Sequence, residues 1–524
     1  MEDAPTPAEL TERIAAFLAD HPAAALLEDG KLLFDLRTAR YSVTAEHGRC
    51  VLHLWSEERN LVRRVVGTTE RKGALRLSVL RMGQTRPQTL ELAPDRDRRQ
   101  PSERGATRTK YLHLLERVLA RHFPEWKIDG LRTAMDLERS FGPAYARGLL
   151  VRGSVAWAVL AVNAEEPQAI IDGSLTLGVL WLHHCRERHA GRRVVEGLRL
   201  ILPAGTTETT ATRLAWMHPK AAKWELYGLD ERSEELCLRD HRDQGNLQTH
   251  LVHAPNADTA RERFASAIGR VQAMLPPSFA GRMEVVVRNG GEVDFLWHGL
   301  EFARTRTELA ANSFARVEET TFGTGASETP LTEETAPALR ELLQQLVDRR
   351  RADGDKRDAL YRLQSERWLE SVLRQSLDSI DAQIEMQPVY AQVPAFSAAD
   401  RAVLDLLAVR RDGRLVVLEL KAEEDLHLAL QALDYWVRVR WHNMQRDAIS
   451  GQTELQRFGY FPGNTLQADA PLLYLVAPSL RIHPATEVVL QYVAPEVEWT
   501  LVALDERWRE QLRVVYRKRR ELHP

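Results

Sequence analysis

The sequence predicts a multidomain α/β and α+β chain in which two mixed sheets flanked by helices are each joined to a small β-rich module. Three observations predict it. With 524 residues the chain is too long for one ordinary core and suits three or four domains. Short apolar runs split by Asp-Gly and Asn-Gly turns alternate with amphipathic stretches, the pattern of hairpins joined by helices. Residues 203–232 also lie on residues 478–507 without a gap, pairing Trp224 with Trp499, Leu226 with Leu501, and Leu229-Asp230-Glu231-Arg232 with Leu504-Asp505-Glu506-Arg507. The expected modules are 1–104, 105–245, 246–335 and 336–524.

The first module opens with an amphipathic helix at 8–18, followed by strand-like runs at 31–36, 50–55, 61–66 and 74–80. Arg63, Arg64, Arg71, Lys72, Arg76 and Arg81 give it a basic cast compatible with nucleic-acid binding. Residues 95–108, with Pro101 and Gly105, read as a linker. In the second module Leu114-Leu115-Glu116-Arg117-Val118-Leu119 mirrors Trp368-Leu369-Glu370-Ser371-Val372-Leu373, and Leu160-Ala161-Val162 mirrors Leu407-Ala408-Val409. The matches keep their order, so this segment reads as a degenerate copy of the C-terminal module. The third module has a helix at 261–275 and a hairpin turning at Asn289-Gly290-Gly291, and 323–337 is a second linker.

In the fourth module a charged helix from Ala338 leads into the helix that carries Glu370. Two strand-length runs, Leu404-Asp405-Leu406-Leu407-Ala408-Val409 and Leu415-Val416-Val417-Leu418-Glu419-Leu420, flank Asp412-Gly413. A loop at 411–413 sets Asp405 opposite Glu419. Strand alternation then puts Glu419 and Lys421 on one face and Val416, Leu418 and Leu420 on the other. A helix follows at 426–441, introduced by Glu423-Glu424-Asp425 as macrodipole partners, with Gln431, Tyr435, Arg438 and His442 on one stripe.

Two carboxylates beside an ammonium match the needs of phosphodiester hydrolysis. Asp405 and Glu419 are candidate ligands for Mg²⁺ or Mn²⁺, with the Leu420 carbonyl as a third oxygen. Glu370 reaches the same cluster directly or through water. Lys421 would orient or deprotonate the attacking water and offset phosphate charge, a role that favours a lysine pKa lowered by burial or neighbours. Arg438 and His442 on the stripe are candidate DNA contacts or a solvated face. Tyr460 and Phe461, in an aromatic and basic loop at 457–464, either stack on bases or pack. In the degenerate copy Ala158 stands at the position matched to Asp405, the strand at 169–172 leads to no lysine, and Leu177 to Trp181 replaces the polar stripe.

Asp405, Glu419-Leu420-Lys421 and Gln431-Ala432-Leu433-Asp434-Tyr435 together resemble the PD-(D/E)xK nuclease superfamily, and the last run resembles the QxxxY signature of its RecB and lambda exonuclease branch. The resemblance covers about residues 360–480, and Leu404 stands where the motif's name has proline. It implies a restriction-endonuclease-like mixed sheet flanked by helices. Asp405 and Glu419 become metal ligands, Lys421 the catalytic lysine, Glu370 the helix-borne acid, and Gln431 and Tyr435 supports of the site and substrate.

The formal charge of −3 lacks the basic surplus of a dedicated nucleic-acid binder, although Arg349-Arg350-Arg351 and the tail Arg513, Arg517, Lys518, Arg519, Arg520 are candidate phosphate-binding patches. Cys50, Cys185 and Cys237 are too far apart in sequence for a CxxC site and read as buried thiols. Without a signal-like start or a membrane-length apolar run, the expected compartment is the cytoplasm. The expected function is a metal-dependent DNA nuclease in repair or defence, acting on single-stranded or duplex DNA, with a homo-oligomer or protein partner left open. Alternatives are a nucleic-acid-binding protein that keeps the fold without cleaving, and a scaffold component of a larger complex.

Overall fold

The computed structural model describes residues 6–520 apart from 23, 29–30, 37–38, 47–48, 56–59, 72–73, 81–87, 95–99, 137–138, 243–248, 277–278, 280–281, 310–315, 325–328 and 398–402. The chain divides into two compact units, one of Met1–Thr107 with Thr321–Thr335 and one of Arg108–Thr320 with Ala336–Pro524. Among the described residues no helix is long and apolar enough to cross a membrane.

In the first unit a seven-stranded antiparallel sheet is covered by the helix Pro7–Asp20. Thr6 and Glu9 start that helix with a reciprocal capping box, and Leu10, Ile14 and Leu18 bury its apolar stripe against Leu52, Leu54, Leu77 and Val79. The four strands expected here exist as Lys31–Asp35, Arg49–Trp55, Asn60–Arg71 and Ala74–Leu80. Ala25–Glu28, Arg40–Glu46 and Gln88–Ala93, too short or too polar to stand out in sequence, complete the sheet. Lys72, Arg81 and residues 95–99 of the expected linker lie outside the described residues. The rest of that linker is helical: α1 (Gln100–His122) accommodates Pro101 in its first turn, where a missing N–H costs nothing.

The second unit holds two mixed sheets with one topology, beside the antiparallel strands Glu284–Asn289, Glu292–Trp297 and Leu300–Leu309 of a further sheet. The first runs β1 (Lys127–Arg132), β2 (Tyr145–Arg152), β3 (Val155–Val162), β4 (Val194–Pro203), β5 (Lys223–Asp230) and β6 (Glu235–Arg239), in chain order across the sheet. Successive pairs are antiparallel, antiparallel, parallel, parallel and antiparallel. A parallel step needs a crossover, and α2 (Ser174–His189) and α3 (Glu208–Leu214) supply the two. The second sheet runs β7 (Thr249–Leu251), β8 (Tyr390–Ser397), β9 (Val403–Val409), β10 (Leu415–Leu420), β11 (Leu472–Pro478), β12 (Trp499–Leu504) and β13 (Val514–Arg519). From β8 onward its pairs repeat the same five directions. The helix α4 (Ser365–Arg374) precedes β8, and α5 (Leu428–Met444) and α6 (Ala485–Gln491) make the crossovers.

The internal repeat is therefore structural, and its register agrees with the gap-free alignment. Leu198 pairs with Trp224 and Pro203 with Leu229, while Leu473 pairs with Trp499 and Pro478 with Leu504. The upstream matching needs correction. Leu160-Ala161-Val162 lies on β3, whose topological counterpart is β10 and not the Leu407 strand. Residues 169–172 belong to the helix Gln168–Asp172, so no strand precedes Gly173. The two halves also share one apolar core, in which Leu175, Leu182, Leu198 and Leu200 of the first join Leu430, Leu433, Val437 and Leu475 of the second.

The expected third module is less separate than its sequence suggests. Its strand β7 pairs with β8, so it completes the second mixed sheet. The expected helix 261–275 breaks at Phe264 into Ala257–Arg263 and Ala265–Gln272. The hairpin is present, with Asn289 paired to Glu292 around Gly290-Gly291. Cys50 and Cys185 are buried thiols, whereas Cys237 is exposed on the edge strand β6.

Candidate active site

The hairpin β9–β10 builds the site. Arg410 N donates to Arg414 O at 2.9 Å and closes the loop 411–413. Gly413 takes φ +85°, and a Cβ there would lie 2.1 Å from the Thr465 carbonyl, so the turn requires glycine twice over. Leu406 pairs with Leu418 and Val409 with Leu415, a register that sets Asp405 opposite Glu419. Val416, Leu418 and Leu420 enter the core beneath Trp368 and Trp508, and Glu419 and Lys421 take the other face. The sequence reading of this hairpin holds residue by residue.

Burial makes the site unusual. Glu419 is 1% exposed and Lys421 9%, both far below the norm for charged groups. Asp405 Oδ2 accepts the Leu420 N–H at 2.9 Å, so Leu420 meets the site through its amide. Burial raises the Asp405 carboxyl above its ordinary value, and burial with Asp405 beside it raises Glu419 well above. Glu419 Oε2 is buried without a hydrogen-bond partner. Two juxtaposed carboxyls, one with an orphaned oxygen, form an all-oxygen donor set that suits a hard divalent cation.

Lys421 Nζ stands 3.5 Å from Glu419 Oε1, 3.6 Å from Asp425 Oδ2 and 3.8 Å from Glu366 Oε1. Burial alone would lower its pKa, but Glu419, Glu366, Asp425 and Asp405 together hold it above the ordinary lysine value. This reverses the expectation of a lowered pKa and favours the protonated form of Lys421. Asp425 also accepts the His427 N–H at 2.7 Å, bracing the turn before α5, which begins at Leu428 and not at 426.

Glu370 comes from α4 and is 8% exposed. Its Oε2 accepts from Gln392 Nε2 at 2.5 Å and Arg367 Nη1 at 3.1 Å, and burial pushes its carboxyl up to about 7. Gln392 also lies 3.4 Å from Asp405 Oδ1, so its amide bridges the helix-borne acid and the strand-borne one. Gln392 is a residue of this cluster that sequence reasoning misses. It falls opposite Asp405 in the register that pairs Ala391 with Leu406 and Val393 with Leu404, and its φ of +55° is a strained value for a side chain with a Cβ. Glu366, one turn before Glu370, is an acid that sequence reasoning also misses, and its i, i+4 spacing was the available signal.

On α5, Tyr435 is buried beside Glu419 and hydrogen-bonds with Gln431, with burial and the Glu419 charge raising its pKa. Arg438 is half-buried on the same helix. His442 is 3% exposed and spans Glu454 Oε2 at 2.8 Å and Thr249 Oγ1 at 3.0 Å, which ties α5 to β7 and removes it from any DNA surface. Tyr460 and Phe461 are 2% and 0% exposed. Their rings pack at 4.8 and 5.0 Å from Tyr390, and Tyr460 Oη donates to Val252 O, so the packed reading replaces base stacking. Arg350 is likewise buried, donating to the carbonyls of Leu360, Leu363 and His298, and belongs to no phosphate patch. In the tail, Arg517 caps Ile380 O, Lys518 pairs with Glu487 and Arg520 donates to Val493 O.

Among the described residues, no three His, Cys, Asp or Glu side chains gather into a ready cage. Asp405 and Glu419 are the juxtaposed pair within a cluster that also holds Glu370, Glu366 and Asp425, and a magnesium site that keeps waters or phosphate oxygens needs one or two carboxylates. No family model matches the chain, and no curated protein matches it.

Proposed function

We propose that the chain is a Mg²⁺- or Mn²⁺-dependent DNA nuclease with its catalytic centre at Asp405, Glu419 and Lys421. The carrying observation is the buried convergence of those three groups on one hairpin, with Glu419 Oε2 left unpartnered. Asp405 and Glu419 would hold the cation, which supplies Lewis-acid polarisation of the scissile phosphate. Lys421 contributes a positive charge where charge grows on the phosphate. Gln392 holds the Glu370 and Asp405 carboxyls in fixed positions. Tyr435 and Gln431 wall the site on the α5 side.

The test is metal-dependent cleavage by purified protein of single-stranded, duplex, nicked and flapped DNA, with Asp405→Ala and Lys421→Ala alongside. Cutting that needs Mg²⁺ or Mn²⁺ and falls by at least about 100-fold in both variants supports the reading. Cutting that survives both substitutions, or none on any substrate, removes it. DNA binding without cutting would shift the assignment to a binding protein that keeps the fold.

A further inference from the structure

We propose that the chain nicks duplex DNA, cutting one strand per encounter, because its two mixed-sheet halves form an internal pseudo-dimer with one live and one dead centre. The inference rests on the nuclease reading above.

The halves are related by a pseudo-twofold axis. His218 N donates to Tyr492 O and Ala494 N donates to Trp216 O, each at 2.7 Å, around a bridge between Met217 and Val493. The gap-free alignment sets Met217 on Tyr492 and His218 on Val493, so this is an equivalent segment pairing antiparallel with itself. The helices exchange in the same way: α2 packs on α6 and α5 on α3. Arg186 of α2 lies over the Tyr492 ring at 5.7 Å, and Arg440 of α5 over the Trp216 ring at 4.7 Å. An interface in which each half gives the other the same elements is isologous, as in a symmetric dimer.

The dead centre can be located residue by residue. Leu200 pairs with Leu160 as Leu475 pairs with Glu419, so Leu160 stands for Glu419 and Val162 for Lys421. Leu160 faces Arg147 across the hairpin as Glu419 faces Asp405. Arg147, not Ala158, therefore occupies the first ligand position. Its buried guanidinium stacks 4.6 Å from the Phe141 ring and donates to Ala134 O at 2.7 Å. An arginine, a leucine and a valine offer no oxygen to a cation.

Both centres lie at the same end of the pseudo-dimer. Asp425, 3.6 Å from Lys421, accepts from His427, whose ring meets Thr176 Oγ1 at 3.1 Å at the start of α2. A Cβ on Gly173 would lie 2.8 Å from that ring and 3.2 Å from the Tyr145 hydroxyl, two residues from Arg147. The strands of a duplex are also related by twofold axes, and two-fold proteins dock on them with matched halves. A duplex laid across this end would bring one strand to the Asp405 and Glu419 centre and the other over the copy whose matching residues, Arg147 and Leu160, are buried and hold no cation.

The experiment uses the full chain on closed supercoiled DNA with Mn²⁺, following supercoiled, nicked and linear forms, with Asp405→Ala as control. Expected is nicked circle as the main early product, with linear DNA appearing only after a lag. Without added metal, fluorescence anisotropy is expected to show one chain per short duplex, bound more tightly than either single strand. Linear DNA formed from the start and lost in Asp405→Ala overturns the nicking inference and leaves the nuclease reading standing, and so does equal or tighter binding of the single strands. No cleavage, or cleavage that survives Asp405→Ala, overturns the nuclease reading and this inference with it.

Discussion

Gln392 carries a local cost that only the site explains. Its left-handed backbone costs about 1 kcal/mol for any residue with a Cβ, and in return its amide reaches both Glu370 and Asp405. Gln392→Gly should therefore be more stable than Gln392→Ala by about 1 kcal/mol, while both lose about 10-fold or more in cleavage rate. Chemical denaturation and initial rates read the two effects separately, and equal activity of both variants with the parent would remove the bridge from the mechanism. A second residue-scale consequence concerns pH. Burial, with Arg350 beside it, pushes His298 down to about 4, and its ring stacks 4.8 Å from Trp368. The unfolded chain takes up this proton below about 6.5 and the folded chain only below about 4, so the neutral ring's stabilisation is complete above about 6.5 and is lost as pH falls towards 4. About 3 kcal/mol of stability is lost across that window. His298→Asn, which tolerates the local φ of +47°, should shrink the difference in denaturation midpoint between pH 7 and pH 5; an unchanged difference would refute the assignment. Asp405, Glu419 and Lys421 were legible in sequence because strand alternation and an Asp-Gly loop fix their faces. Gln392 was not, because its place depends on a strand with no clear apolar alternation.

Elements are held by contacts that no local pattern announces. The QxxxY helix α5 is tied to the other half by Arg213, whose guanidinium pairs with Asp434 at 2.6 Å and also caps the Asp172 carbonyl. Both side chains are largely buried, so removing one partner strands the other. Arg213→Ala should cost about 3 kcal/mol, and the paired change Arg213→Met with Asp434→Leu should recover at least half of it. Cleavage should also fall in the single variant, because α5 carries Gln431 and Tyr435 to the site. A double-mutant cycle in urea gives the coupling directly, and additive single effects would show that the pair does not brace the helix. Sequence pattern found α5 within two or three residues at each end and left Arg438 and His442 on its stripe as DNA contacts or a solvated face. Tertiary packing decides otherwise for His442, since Thr249 and Glu454 satisfy both ring nitrogens in the core.

At the scale of the whole molecule, the duplication alters what counts as a domain. Sequence alignment located the second copy through the strand and helix after the central crossover, where pairing register is preserved. It misplaced the earlier strands, because a fully buried strand such as β3 shows an unbroken apolar run with no phase to align. It also implied an independent C-terminal module from 336, whereas the structure gives both halves one continuous apolar core. Leu430, Leu433 and Val437 on α5, with Val489 and Leu490 on α6, belong to the same cluster as Leu175, Leu182 and Leu214 of the first half. β7 and the His298 stack add further dependence on residues before 336. Residues 336–524 expressed alone would expose that face to water and lose the hydrophobic stabilisation it supplies. The fragment should bind a hydrophobic dye, give no sharp near-ultraviolet circular dichroism and unfold without cooperativity, in contrast to the full chain. A monomeric fragment with cooperative unfolding would instead mean that the C-terminal half carries a sufficient core of its own. The first half would then serve substrate binding alone, and Arg213→Ala should leave the stability of the second half unchanged.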